Sequence, residues 1–147
     1  MSGRGELWRA LGAFCEAPGP AHDRIAGALG LPRGCRPDEH ATVFELETHP
    51  YASVHLGPEG MLGGEAADRV AGFWRALGLV PPAEPDHLAA LLGLVGALAD
   101  DEDRQVEPAR AAIRRRARRA LLWEHVAPWI DPYLAAVRSL GVAPASA

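Results

Sequence analysis

Apolar residues recur at three- and four-residue steps along most of this chain, a spacing that predicts helices. In "GELWRALGAFCEA", residues 5–17, Leu7, Trp8, Leu11, Phe14 and Cys15 form one apolar side. "PGP" at 18–20 stops that helix, and a short one is predicted over 21–29. "GLPRGCRP" reads as a loop. Pro37 and Asp38 then start the helix "DEHATVFELET", which ends before Pro50. A helix predicted over 65–77 sets Val70, Phe73, Trp74 and Leu77 on one side, and Gly78 is placed to end it in the left-handed conformation that glycine tolerates. "LVPPAEP" links it to residues 86–100, which are apolar nearly all round and are therefore the predicted centre of the molecule.

Glu107 and Pro108 suit the first turn of a helix over 107–126. At 100° per residue, Ala109, Ile113, Ala117, Ala120 and Leu121 share one face, while Arg114, Arg115, Arg118 and Arg119 take the other as a solvated surface. Pro128 interrupts the chain, and "WIDPYLAAVRSLG" makes the last helix. One stretch breaks the pattern. "HPYASVHLGPEGMLGG", residues 49–64, is rich in Gly and Pro yet carries Tyr51, Val54, Leu56, Met61 and Leu62, so it must lie against something. Within it "YASVHL" is the only strand candidate. The sum predicts an all-α bundle of six or seven helices in one domain, residues 1–142, with a flexible tail at 143–147.

Composition changes this picture little. A chain of 147 residues fits one domain and buries roughly two-thirds of its unfolded surface. No basic-then-apolar leader opens it, and its most apolar run, 88–99, is far short of the ~20 residues of a membrane span. A cytoplasmic protein without membrane insertion is expected. Cys15 and Cys35 could pair, but nothing else in the sequence suggests a secreted disulfide scaffold, and Cys15 in a helical pattern reads as a buried thiol.

Charge is more informative. All fifteen basic residues are Arg, and six of them fall within 110–119. The remaining nine face 19 acidic residues, a balance of −10, so a short basic helix sits on an acidic body. That body disfavours nucleic acid and attracts basic partners.

The candidate chemistry gathers at "EPDHLAALLGLVGALA", where Glu84, Asp86 and His87 open the apolar helix. The bland reading is helix capping, with Asp86 complementing the helix dipole and His87 closing the first turn. Acid–base catalysis lacks a nucleophile motif, and the scattered His and Cys residues lack the spacing of a zinc site, so no catalytic residue, metal or cofactor is expected. A groove with an acidic mouth and an apolar wall would suit a ligand with arginines followed by an apolar segment.

Four segments in order carry a resemblance: "YASVHLGPEGMLGG", "AGFWRALGL", "PDHLAALLGLVGAL" and "WEHVAPWIDPYLAAV". Over roughly residues 40–138 the chain resembles the TorD/DmsD/NarJ-type chaperones, the redox enzyme maturation proteins. The most specific parts are the Pro-Asp-His at a helix start and the cluster of His125, Pro128 and Trp129. The resemblance implies an all-α, non-enzymatic chaperone that binds the apo catalytic subunit of a molybdopterin oxidoreductase, and in many members its twin-arginine signal peptide. It implies that Asp86 and His87 bind the client, with Tyr51, Ser53, Trp74, His125 and Trp129 lining the same region. Glu84 joins them on electrostatic grounds alone. Monomer and dimer both stay open. The competing expectation is a general helical interaction or regulatory domain, including nucleic-acid binding through the Arg-rich helix.

Overall fold

The structure, a computed structural model, describes residues 3–15, 19–30, 48–57, 60 and 62–139. Among them are seven helices and no strand: α1 Gly3–Ala13, α2 Pro20–Ala28, α3 Ala52–Leu56, α4 Gly64–Ala76, α5 Leu88–Arg104, α6 Pro108–His125 and α7 Ala127–Ser139. The all-α reading holds. Cys35, the loop at 31–37, most of the helix predicted from Asp38 and the tail at 143–147 lie outside the described residues.

Helix α5 is the centre. It buries Leu88, Leu91, Leu92, Leu94, Val95, Leu98 and Ala99, and Val70, Leu121 and Trp129 close over them. It runs one turn beyond the predicted end, through Asp101, Glu102, Asp103 and Arg104. Four consecutive acids, Asp100 to Asp103, at the negative end of a helix dipole destabilise that turn unless cations meet them. Here arginines do. Arg9 pairs with Asp100, Arg114 with Asp101 at 2.5 Å, Arg4 with Asp103 at 3.0 Å, and both Arg115 and Arg118 with Glu102 at 2.9 Å.

Those ion pairs rotate the face assigned to α6: Leu121 and Ala117 meet the core as expected, and Ala109 and Ile113 do not. Leu121 and His125 are buried, and Arg114 and Arg118 are turned inward beside them, whereas Ile113 is 60% exposed. The helical period was right and the angle was off by part of a turn, because the acidic end of α5 makes arginine an inward residue at this contact.

The same holds for α1. Trp8 and Cys15 pack on the core, but the buried positions of α1 are Gly5 and Gly12, and Leu7 and Leu11 stay exposed. Gly5, Trp8, Gly12 and Cys15 follow one helical stripe. The close approach requires glycine: a Cβ on Gly5 would stand 2.0 Å from Asp100 Oδ1, and one on Gly96 would stand 3.0 Å from the Gly5 carbonyl.

Helix α4 ends as expected. Gly78 has φ +75°, its N–H donates to Arg75 O at 2.9 Å, and Leu79 N–H donates to Trp74 O at 3.0 Å, the paired bonds of a Schellman cap. The break before α7 falls at Val126 rather than Pro128, which sits in the first turn of α7 where a missing N–H costs nothing.

Candidate functional site

The irregular stretch contains a helix. Of the strand candidate at 51–56, residues 52–56 form the short α3, and what remains of strand character among the described residues is one isolated antiparallel bridge between Tyr51 and His87. Through it Leu88 N–H donates to Pro50 O at 2.7 Å and Ala52 N–H to Asp86 O at 3.0 Å. A five-residue helix cannot sustain itself. Tyr51, its N-cap, offers no side-chain acceptor to the first amides. Asp86 supplies one from across the bridge: its Oδ2 accepts the Ser53 N–H at 2.9 Å. The Ser53 hydroxyl in turn accepts from Gly63 N–H at 3.1 Å, fixing the approach to α4.

The helix start is therefore divided between two residues. His87 is the N-cap of α5, its Nδ1 accepting from Ala89 N–H at 3.0 Å. Asp86 is 4% exposed and caps α3 rather than α5. Glu84 is exposed, and Tyr51 Oη donates to its Oε1 at 2.9 Å. The Tyr51 and His87 rings meet edge to face at 4.9 Å. Tyr51, Ser53, Glu84, Asp86 and His87 thus form one cluster. Its accessible part is Glu84 with the half-buried rings of Tyr51 and His87; Ser53 and Asp86 are the frame beneath.

Trp129 and His125 form a second cluster that reaches the first through α3. His55 lies flat on Trp129, ring centroids 4.7 Å apart, and meets Tyr133 edge to face at 5.6 Å. Trp129 is 2% exposed, and its indole N–H donates to the His125 carbonyl at 2.6 Å. Phe73 of α4 packs edge to face on the His125 ring at 6.0 Å. Burial holds the His125 imidazole below its usual range, with Glu124 opposing and Arg69 reinforcing the shift. Burial pushes the Tyr133 hydroxyl up to about 12, with Thr48 opposing the shift and Cys15 adding to it. Trp74 packs against the core, and its buried indole N–H has no hydrogen-bond partner among the described residues.

Sequence reasoning missed His55 and Tyr133. Tyr133 was legible as the residue one turn after Trp129; His55 was not, because its role depends on α3 being helical. It also missed Glu102. Burial alone would raise the pKa of this carboxyl, but hydrogen bonds from Arg115 and Arg118 and the charges of Arg118 and Arg4 outweigh it and hold it below the ordinary carboxylate range. Three of the four arginines read as solvated are thereby occupied by ion pairs, Arg114 and Arg118 turned inward and Arg115 still exposed. That removes most of the basis for a nucleic-acid surface there. Among the described residues, no group of three His, Cys, Asp or Glu side chains is gathered for a metal ion, and no helix is long and apolar enough to cross a membrane.

Comparison with known families matches residues 39–135 to the model described as the nitrate reductase delta subunit. No curated protein and no solved structure matches the chain.

Proposed function

The chain belongs to the nitrate reductase delta subunit family of NarJ/TorD-type chaperones, and from that premise we propose a division of labour within its candidate site. Membership makes it a redox enzyme maturation chaperone rather than an enzyme, with a molybdoenzyme subunit of nitrate reductase type as its partner. In our reading it acts in the cytoplasm. It holds the apo catalytic subunit of a molybdopterin oxidoreductase until the molybdenum cofactor is inserted, and it takes the twin-arginine signal peptide of that client at the start of α5.

The observation that supports this site is the exposed Glu84 carboxylate, held by Tyr51 beside the rings of Tyr51 and His87. A guanidinium can share the carboxylate, and the rings offer faces to guanidinium and apolar groups alike. Asp86, buried under Ser53, is not the group that meets the ligand. It sets the position of α3, and through α3 the stack of His55 on Trp129. In this reading Glu84 reads charge and Asp86 holds the frame.

Two experiments test separate layers. Deleting the gene and assaying molybdenum in the purified client tests the chaperone role; a client fully loaded without this protein would end it. Calorimetric titration with a peptide carrying paired arginines and an apolar run, against its paired-glutamine counterpart, tests the site. Wild type is expected to prefer the arginine peptide, and Glu84→Gln to abolish that preference. Equal affinities in wild type would remove arginine recognition while leaving the chaperone role standing.

A further inference from the structure

Helix α6 carries six arginines between 110 and 119, and they do not behave alike. Arg110 pairs with Glu107 at 3.1 Å, Arg114 with Asp101, and Arg115 and Arg118 with Glu102. Arg116 and Arg119 are exposed and pair with no carboxylate among the described residues. At 100° per residue these two lie on the outward stripe of α6 together with Ile113 and Trp123. Ile113 is 60% exposed and Trp123 68%. The stripe spans roughly 15 Å of helix at 1.5 Å per residue. Small residues lie within it, Ala109, Ala112 and Ala120, and would let a second backbone come close. Glu124, the only acid between 108 and 125, stands at its edge.

A solvated face would carry charge without large apolar groups. Here two cations with no carboxylate partner among the described residues lie between the two largest apolar side chains of the stripe. We infer that the outward stripe of α6 is a protein-docking surface that receives an acidic amphipathic helix from a partner, its carboxylates on Arg116 and Arg119 and an apolar side chain against Trp123. Charge complementarity selects this occupant. Two exposed cations are few for an extended polyanion, whose affinity falls steeply with salt and rests on many phosphate contacts. A membrane or nucleic acid also meets the acidic body around the stripe, which carries a balance of −10 outside 110–119. A helix of a few turns covers only the stripe and buries Ile113 and Trp123, the latter the kind of desolvated aromatic anchor that dominates protein interfaces.

The test uses the full chain and a fluorescent synthetic helix bearing two glutamates one turn apart and a leucine on the following turn, followed by anisotropy at low and high salt. Its counterpart has both glutamates replaced by glutamine. Wild type is expected to bind the glutamate helix saturably and more weakly as salt rises. The Arg116→Gln/Arg119→Gln double variant and Trp123→Gln should each lose about tenfold or more in affinity. Arg75→Gln, an exposed arginine of α4, should match wild type. All three variants change exposed side chains, and circular dichroism verifies that each stays helical. No binding by wild type, equal binding of the two helices, or an undiminished double variant would overturn the inference. So would binding confined to phosphatidylglycerol vesicles or to single-stranded DNA, each measured in parallel.

Discussion

At the scale of single residues, Asp86 and Glu84 lie two positions apart and do opposite things. Asp86→Ala removes the acceptor for a buried N–H and a remote helix cap, and should destabilise the fold by about 2 kcal/mol. Asp86→Asn keeps an oxygen for the Ser53 amide, so it should cost less than half of that and retain binding of the paired-arginine peptide. Thermal denaturation beside peptide titration separates the two; a folded Asp86→Asn that loses the peptide would make Asp86 a direct ligand after all. Glu84→Gln should leave melting unchanged, since that side chain is exposed, and act on the ligand alone. His125 gives a pH prediction. Its folded pKa is depressed by burial below the ordinary 6.5. The unfolded chain therefore binds the proton first, and the contribution of neutral His125 is present above pH 6.5 and lost as pH falls through the folded value. Denaturant titrations of wild type and His125→Gln from pH 7.5 to about 5 should show a shallower acid loss in the variant.

At the scale of elements, the interface of α5 with α1 and α6 rests on two devices, glycine contact and ion pairing around Glu102. Arg118 is mostly buried and donates two hydrogen bonds to Glu102. Arg118→Gln should therefore cost about 2 kcal/mol, the scale of hydrogen bonds to a charged group that is removed from water. The Arg116→Gln/Arg119→Gln pair should stay within about 0.5 kcal/mol of wild type, as an exposed change does. Urea denaturation of these variants side by side checks the contrast, and equal losses would mean that the inward and outward arginines are not distinct. Gly5→Ala places a methyl against the Asp100 carboxylate and should displace either that side chain or α1. Its cost should fall in the range of about 1–3 kcal/mol typical of overpacking, with faster amide exchange in α1.

At the scale of the whole molecule, the helical periods, the central place of the apolar helix and the glycine stop at Gly78 were legible in the sequence. Each is a local property: spacing fixes which residues share a side, and a left-handed cap needs glycine wherever it occurs. The Pro-Asp-His at a helix start and the His125–Trp129 segment carried the family, because they keep residue type and order together. What spacing cannot fix is which side faces in. On α1 the inward stripe sets glycine beside Trp8, on α6 it sets arginine beside Leu121, and hydrophobicity marks only part of either. The deciding quantities are the shape and charge that α5 presents, above all Asp100 and Glu102, and these reach α1 and α6 only through the tertiary fold. The same is true of Asp86. In sequence it reads as an acid one step before a helix cap, available to a ligand. Its burial, and its bond to an amide 33 residues earlier in the chain, exist only once α3 folds against the start of α5. A helix of five residues is too short to form by its own bonds, so no local pattern announced it.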